Sequence, residues 1–335
     1  MAKARAEPAG IGGRGFLVTT RILLDCDPGN DDALGILVAL GHADLDLVAV
    51  TTGAGHLAAE RTAHNAAITM AVGGGTVPVA AGAMVPLVRE RMIAGVLDLT
   101  SALDPERPDL AAVPLDPRPA SDMIVDSVRS HPGLVIVTTG PFTNLALALR
   151  RDPAISKEIS RIVSLAGAWG LGTKTAAAEW NMLCDPEAAA IVAGAGIPWT
   201  LIPYEAASTV GIDSELIVQT EATDGAAGVF AGELLRSLVS TFRPGRFSPP
   251  FMPLNDPLAP LLAANPALAE TVLAHVAIEL AGRHTYGRSV IDFAMRFAPA
   301  NADIALGFDI AATRNAFLAA LERLSSQATS TKETA

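Results

Sequence analysis

The sequence is poor in cysteine, in basic residues and in long apolar runs, and each shortage excludes a class of protein. Its two cysteines, Cys26 and Cys184, lie far apart, without the paired spacing of a zinc or redox site. Both are therefore expected to be small buried side chains. The 335 residues carry a formal net charge of −11 and no run of lysine or arginine. Because nucleic-acid binding requires clustered basic residues, we expect a small-molecule ligand and no DNA or RNA partner.

No apolar stretch reaches the roughly 18 unbroken residues of a membrane-spanning helix. The best candidate, residues 188–203, is interrupted by glycine and proline, and residues 1–15 lack the apolar core of a signal peptide. We therefore expect residues 1–20 to be a flexible leader and the Ser/Thr-rich residues 325–335 to be a disordered tail. The protein is expected to stay in the cytoplasm, away from membranes.

Between these ends, short apolar runs alternate with amphipathic helical segments, and 50% of the chain is hydrophobic. This alternation is typical of a parallel sheet with helices on both faces. The predicted strands are residues 22–24, 47–50, 77–80, 134–137, 162–165 and 199–202. We predict an α/β fold, with residues 21–324 forming one large domain around a mainly parallel, Rossmann-like sheet flanked by helices.

The turn after the first predicted strand holds four carboxylates in eight residues, those of Asp25, Asp27, Asp31 and Asp32. A helix N-terminus follows directly and stabilises only part of this charge. Two carboxylates about 4 Å apart repel by roughly 4 kcal/mol at an effective dielectric of about 20. A hard cation bound by oxygen ligands relieves this repulsion, and Ca²⁺ suits a loose carboxylate cage better than Mg²⁺. Helix capping and turn bracing alone account for only two of the four.

Polar, sharply turned segments follow other predicted strands too. They are residues 51–56, 138–144, 167–169 and 179–181. In α/β sheets ligands bind beyond the carboxyl ends of the strands, so these segments are expected to meet at one rim. Asp256 precedes Pro257 at the start of a later helix, and it either adds a carboxylate to this rim or only caps that helix.

Four motifs in this order make the chain resemble the nucleoside hydrolases, the inosine–uridine preferring nucleoside N-ribohydrolase family, over nearly its whole length. They are residues 25–33 (DCDPGNDDA), 139–144 (TGPFTN), 178–181 (AEWN) with 185–189 (DPEAA), and 255–259 (NDPLA). The first motif is highly specific, and the others gain weight from their order. The resemblance implies a Ca²⁺-dependent enzyme of nucleoside catabolism and salvage. It would hydrolyse the N-glycosidic bond of ribonucleosides to free base and ribose, as a homodimer or homotetramer.

The resemblance also implies a role for each matched position in the metal site. Asp27 is implied to be the general base, which takes a proton from a water held by the metal, and also to contact Ca²⁺ itself. Asp32, Asp256 and the backbone carbonyl of Thr139 are the other implied ligands. Asp25 is implied to support the loop from behind.

Three further positions are implied to hold the sugar. Asp31 and Asn181 would bind the ribose hydroxyls, and Glu179 the 5′ end. These residue types suit the reaction, because cleavage of the N-glycosidic bond develops positive charge on the ribose ring. Carboxylates and amide oxygens stabilise that charge more in the transition state than in the ground state.

The chain departs from the family pattern on the side of the leaving base. His56 and Thr173 stand where asparagine is expected, and Asn255 where many members carry histidine. The loop 96–100, which contains Asp98, replaces a His-Gly pair, so a familiar leaving-group acid is missing. His56, Thr173 and Asn255 are still predicted to contact the substrate. His56 either protonates the departing base or has a surface or structural role, and the residues alone favour the second.

Trp169 and Trp180 are the aromatic candidates for stacking on a base. An aromatic beside a strand end is more often part of the core. Trp180 also alternates with Glu179 and Asn181, so in an extended segment it would point away from the pocket. We therefore predict no base stacking for either tryptophan.

Two alternatives remain open at this stage. A family member that keeps the metal and ribose pocket could serve a modified nucleoside, or bind a nucleoside without hydrolysing it. A haloacid dehalogenase-like Mg²⁺ phosphatase also begins with Asp-x-Asp. It is disfavoured, because residues 28–32 do not continue that motif and no matching lysine or late Asp-Asp set follows.

Overall fold

The sheet reverses its strand order near its middle, and this reversal creates the crevice that holds the site. A computed structural model describes residues 19–92, 103, 107 and 109–333. The strands within them are β1 (Thr20–Cys26), β2 (Leu45–Thr52), β3 (Val79–Ala81), β4 (Val135–Thr138), β5 (Arg161–Leu165), β6 (Trp199–Ile202), β7 (Ala269–Ile278), β8 (Ser289–Asp292) and β9 (Ala302–Phe308). Across the described residues they form one sheet in the order β3-β2-β1-β4-β5-β6-β9-β7-β8.

Strand β1 pairs in parallel with β2 on one side and with β4 on the other. The chain runs outward from β1 to β3 and then returns to the opposite side of β1 as β4. Such a switch point opens a crevice at the carboxyl ends of the two central strands. Pairing stays parallel as far as β9, whereas β7 runs antiparallel to both β9 and β8. The predicted α/β class with a mainly parallel sheet is confirmed.

Helices cover both faces of the sheet. They are α1 (Asn30–Gly41), α2 (Ala59–Val72), α3 (Ala120–Ser130), α4 (Thr143–Arg151), α5 (Trp180–Cys184), α6 (Pro186–Ala193), α7 (Tyr204–Ala207), α8 (Ser214–Glu221), α9 (Gly225–Thr241), α10 (Leu258–Ala264) and α11 (Ile310–Glu333), with short 3-10 helices at Pro153–Lys157 and Pro266–Leu268. On one face α1, α9, α10 and α11 bury residues such as Leu34 and Phe317. On the other face α3, α4 and α6 bury residues such as Met123 and Leu145.

Strand β1 shows why the centre of the sheet was predictable. Its residues Ile22 and Leu24 belong to the core on one face, and Leu23 belongs to the core on the other. A parallel strand covered on both sides reads as a continuous apolar run, which is the signal in the sequence. The four Asp residues begin where this run ends.

Strands β7, β8 and β9 are not among the strands that the sequence predicts. Residues 269–278 mix polar and apolar side chains, and Val272 and Leu273 are exposed although they are apolar. A strand near the sheet edge lacks the continuous apolar run of a strand buried on both faces. The antiparallel end of the sheet therefore has no clear sequence signal.

The two chain ends differ from the expected boundaries. Most of the expected leader, residues 1–18, lies outside the described residues, and β1 already begins at Thr20. Helix α11 extends to Glu333, through most of the expected tail, because residues 310–333 contain no glycine or proline to end it. Within the part of the chain that the structure describes, no helix has both the length and the hydropathy of a membrane span.

Candidate active site

The polar segments expected at the strand ends do meet at one rim of the sheet. Asp27 follows β1, Gly55 and His56 follow β2, and Thr139 follows β4. Hydrogen bonds join these segments: the Gly53 backbone N–H donates to the Cys26 carbonyl at 3.0 Å, and that of Thr139 to the Asp25 carbonyl at 2.9 Å. The loop before α10 brings Asp256 to the same place, as shown by its oxygen's proximity to those of Asp31 and Asp32.

Three carboxylates form the densest negative charge at this rim. One oxygen each of Asp31, Asp32 and Asp256 lies within 4.8 Å of the others. Asp32 and Asp256 are buried, and Asp31 is half-buried. Burial, together with the neighbouring charges of Asp27 and Asp31, raises the pKa of Asp32 well above its usual range. Burial and the charges of Asp31 and Asp32 do the same to the pKa of Asp256.

No lysine or arginine among the described residues forms an ion pair with these three carboxylates. Buried anions need a paired charge or a metal ion. The oxygen-only donor set therefore fits a hard divalent cation. The group contains Asp31, which the family resemblance assigns to ribose binding, and it does not contain Asp27, which the resemblance assigns to the metal.

Asp27 is buried beside this group, and its Oδ2 is held by one neighbouring residue. It accepts a hydrogen bond from the His56 backbone N–H at 2.9 Å, and the His56 Nδ1 lies 3.4 Å away. No hydrogen bond to Oδ1 comes from the described residues. Burial raises the pKa of Asp27 above its usual value, against the opposing contacts with His56. A buried carboxylate with one anchored and one open oxygen is suited to proton abstraction.

Asp25 is the second-last residue of β1, and its side chain is buried. Its Oδ1 accepts hydrogen bonds from Thr51 Oγ1 at 2.7 Å and from Asn144 Nδ2 at 2.8 Å. Burial raises the pKa of Asp25 to about 7, although both hydrogen bonds oppose this shift. Asn144 also donates to the Thr52 carbonyl at 3.0 Å and accepts from the Ala83 backbone N–H at 2.9 Å. Asp25 is thus part of a network that joins β1, β2 and α4, as a supporting role requires.

Thr139 and Asn181 connect the carboxylates to helix α5. Thr139 Oγ1 donates to Asp32 Oδ1 at 2.7 Å, and the Thr139 carbonyl accepts from Asn181 Nδ2 at 2.6 Å. The same Asn181 nitrogen donates to the Leu165 carbonyl at 2.9 Å. Both amide hydrogens of Asn181 are therefore used, which leaves its side-chain oxygen as an acceptor for a hydroxyl group.

Glu179 caps the N-terminus of α5. One carboxylate oxygen accepts from the Asn181 backbone N–H at 3.0 Å, and the other accepts from Met182 at 3.1 Å and from Gly167 at 2.8 Å. Burial raises the pKa of Glu179, and these three backbone hydrogen bonds oppose that shift. The cap fixes the Glu179 side chain relative to the backbone of Asn181. A ligand that binds both residues therefore finds them already in position.

The residues predicted to contact the base differ in where they lie and in what they contact. Thr173 is exposed, and its Oγ1 accepts from the Trp180 backbone N–H at 3.1 Å. Asn255 has a left-handed φ of 55°, a conformation that asparagine tolerates, and its Nδ2 lies 3.5 Å from Asp31 Oδ2. Asp98, with the loop 96–100, lies outside the described residues.

The expectation that Trp180 points away from the pocket is wrong. Its ring lies 4.5 Å from the ring of His56, centroid to centroid, and His56 in turn contacts Asp27. The error has a structural cause, because Trp180 opens helix α5 and the two-residue alternation of a strand does not apply there. Trp169 contacts Phe293 instead, with ring centroids 5.9 Å apart.

Sequence reasoning also missed two residues that shape the site. Asn144 was noticed only as part of a motif, and Gly55 only as part of the polar segment 51–56. The signal for Asn144 was an amide at the start of a helix after a central strand. Gly55 lacks any such signal, because its importance lies in its distance to a side chain 28 positions earlier.

Comparison with known proteins matches this geometry to one family. The model of the inosine-uridine preferring nucleoside hydrolases matches residues 22–315. The pyrimidine-specific ribonucleoside hydrolase RihA of Citrobacter koseri is 36% identical over 275 residues, covering 81% of this chain and 88% of its own. The enzyme of the same name from a Shewanella species is 36% identical over 293 residues, covering 86% and 92%.

Solved structures agree. The purine-preferring ribonucleoside hydrolase from Gardnerella vaginalis superimposes with a TM-score of 0.83 at 27% identity, covering 92% of this chain and 100% of its own. The plant nucleoside hydrolase PpNRh1 gives a TM-score of 0.82 at 25% identity, covering 92% and 99%. Fold and site thus define a hydrolase that acts on N-glycosyl bonds.

The chain belongs to the inosine-uridine preferring nucleoside hydrolase family. The resemblance drawn from its four sequence motifs is therefore confirmed. The haloacid dehalogenase-like alternative is excluded by this membership.

Proposed function

We propose that the protein hydrolyses the N-glycosidic bond of ribonucleosides in a Ca²⁺-dependent reaction and releases the free base and ribose. The observation that carries this proposal is the group of Asp31, Asp32 and Asp256 beside the buried Asp27. These three carboxylates share no basic partner among the described residues. Their burial and mutual repulsion raise the free energy of the folded state unless a cation binds. The position of the group, at the carboxyl ends of β1 and β4, is where α/β folds bind ligands.

Asp27, Asp32, Asp256 and the carbonyl oxygen of Thr139 would hold Ca²⁺. All are oxygen donors, as calcium prefers, and its tolerance of irregular geometry suits ligands from three separate segments. The nearness of Asp31 to Asp32 and Asp256 adds negative charge at the metal site. When bound, Ca²⁺ supplies a fixed positive charge that orients a water molecule and lowers its pKa.

The protein's own groups then divide the work. Asp27 takes the proton of the attacking water. Asp31 and the side-chain oxygen of Asn181 accept hydrogen bonds from the ribose hydroxyls, and Glu179 holds the 5′ end of the sugar. As the bond to the base breaks, positive charge develops on the ribose ring, and the surrounding carboxylates stabilise it. Asp25 holds the end of β1 in place through Thr51 and Asn144.

Pyrimidine ribonucleosides are the proposed substrates. Support comes from the two relatives at 36% identity, both of which are described as pyrimidine-specific. His56, Thr173 and Asn255 are the proposed contacts on the base side. His56 also contacts Asp27, with its Nδ1 3.4 Å from Oδ2. On the resemblance alone, we extend the proposal to a homodimer or homotetramer in the cytoplasm, which light scattering and cell fractionation would test.

The substrate proposal is tested by free ribose released from uridine, cytidine, inosine and adenosine with the calcium-loaded protein. We expect kcat/KM for uridine or cytidine to exceed that for either purine nucleoside by at least about tenfold, a difference of roughly 1.4 kcal/mol in transition-state binding. Faster purine release would contradict the base preference alone. Silence on all four, with folded and metal-loaded protein, would contradict the hydrolase proposal. It would favour a modified nucleoside or binding without turnover.

A further inference from the structure

The Asp27 carboxylate lies against the loop that follows β2, residues 53–57. Its Oδ2 is held by the His56 backbone N–H at 2.9 Å. A backbone donor cannot rotate away as a side chain can, so this contact fixes the orientation of the whole carboxylate. Oδ1, which accepts no hydrogen bond from the described residues, is then held in one orientation.

Gly55 makes this close approach possible. A Cβ atom added at Gly55 would overlap Asp27 Oδ2 and Cγ, and the three nearest atoms are all in the Asp27 side chain. Gly55 is not among the glycines with positive φ, so its backbone conformation suits any residue. The glycine is therefore needed for room and not for conformational freedom. On the opposite side, a Cβ at Gly140 would lie 2.8 Å from Asp27 Oδ1 and 2.9 Å from the Asp27 backbone nitrogen.

The loop itself is tied down on several sides. The Gly55 backbone N–H donates to the Leu57 carbonyl at 3.1 Å, and that of Ala54 donates to the Ala83 carbonyl at 2.9 Å. Thr62 Oγ1 donates to the Gly53 carbonyl at 2.9 Å, which ties the loop to helix α2. The Trp180 ring stacks on His56 and ties it to helix α5. A loop held in this way can set the position of a catalytic group within a fraction of an ångström.

We propose that Gly55 and His56 form a positioning element for Asp27, in which the space left by Gly55 lets the His56 backbone N–H anchor Oδ2 and leaves Oδ1 to take the proton. The inference rests on the proposed function, in which Asp27 is the general base. It assigns the essential contact to the backbone of His56 and not to its imidazole ring. It also predicts that a single methyl group at position 55 damages catalysis while the fold survives.

The test compares Gly55→Ala with Gly245→Ala, a glycine in an exposed loop where a Cβ would meet only Ser248 Oγ at 3.7 Å. In Gly55→Ala the new methyl displaces the end of the Asp27 side chain. A displacement of about 1 Å at a reacting group costs on the order of 10²-fold, so we expect kcat to fall by at least about 100-fold with KM within about threefold. Thermal melting should stay within a few degrees of wild type. Gly245→Ala should match wild type in both measurements.

Two further measurements separate positioning from other causes. His56→Ala keeps the backbone N–H, so its kcat should fall by less than about tenfold, a loss smaller than that expected for a missing general base. Calcium binding by titration calorimetry, without nucleoside, should be weaker but remain detectable in Gly55→Ala, because the new methyl group meets only Asp27 and leaves the other proposed ligands, Asp32, Asp256 and the Thr139 carbonyl, in place. Loss of calcium binding there would overturn the inference, since the damage would then be to the metal site.

Other outcomes are equally decisive. A Gly55→Ala enzyme with kcat within about threefold of wild type would overturn the inference and leave the proposed function standing. So would a loss of activity that merely follows a loss of folded protein. If kcat fell as far in His56→Ala as in Gly55→Ala, the essential contact would be made by the imidazole ring, and the inference would be overturned. A wild type that releases no ribose from any nucleoside would overturn the inference and the proposed function together.

Discussion

Replacing Asp27 with asparagine should lower kcat for ribose release by about 10²–10⁴-fold, the range that a general base contributes. Asparagine has nearly the same shape, and its side-chain oxygen still accepts the His56 backbone N–H that now holds Oδ2. It loses the ability to take a proton and also the negative charge that Asp27 would offer to Ca²⁺, so kcat is measured at saturating calcium. Because burial already disfavours the charged form of Asp27, the neutral side chain should not lower the melting temperature. Steady-state kinetics and thermal melting on the same preparation measure both effects.

Asp46→Asn is the matched control for this substitution. Asp46 accepts a hydrogen bond from Arg21 Nε at 2.8 Å on the exposed surface, near the start of β2 and away from the rim. An exposed ion pair contributes no more than about 1 kcal/mol, so kcat should stay at the wild-type value. If Asp27→Asn kept more than about one-tenth of wild-type kcat, Asp27 would not be the base.

Asp32→Asn should have the second large effect, and this effect has opposite signs with and without calcium. Removing one carboxylate ligand should weaken calcium binding by at least about 100-fold, since ligand charge sets affinity in such sites. Without calcium, however, burial and the neighbouring charges of Asp27 and Asp31 disfavour the charged form of Asp32 and raise its pKa. Neutralising it should therefore raise the melting temperature of the metal-free protein. The Thr139 hydroxyl can still donate to the asparagine oxygen, so packing is preserved.

Titration calorimetry and melting curves, each with and without calcium, measure these two effects. Saturating calcium at about 100 times its Kd should stabilise the wild type by about 2.7 kcal/mol, and the variant far less. Asp126→Asn, at an exposed carboxylate paired with Arg118, should behave as wild type in both assays. A variant that binds calcium as tightly as wild type would remove Asp32 from the ligand set.

The central part of the fold was predictable because its signals are local. The middle of β1, residues 22–24, is a continuous apolar run, and the four carboxylates begin where that run ends. An Asp followed by Pro is a typical helix start, and Asp185 Oδ1 indeed accepts from the Ala188 backbone N–H at 3.1 Å at the start of α6. Strand β7, which lies next to the edge strand β8, gave no such signal, because its mixture of exposed and buried residues follows neither a strand nor a helix period clearly.

The meeting of the polar segments at one rim was predictable from the sequence, and the contacts between them were less so. Four strand-end segments were expected at one rim, and the structure brings them there. The contacts of Asp25 with Asn144 and of Asp27 with Gly55 and His56 join residues distant in sequence, and no local pattern encodes them. Trp180 shows a second limit. The sequence was interpreted as extended there, but Trp180 is the first residue of helix α5, so its side chain points in a different direction.

The most direct test of the central claim is ribose release from uridine by one sample of wild-type protein, measured before chelation, after removal of metal with a calcium chelator, and after Ca²⁺ is restored. The carboxylate group of Asp31, Asp32 and Asp256 has no basic partner among the described residues, so we expect release to stop on chelation and to return with calcium. Turnover that continues unchanged, with metal content verified as negligible, would contradict it.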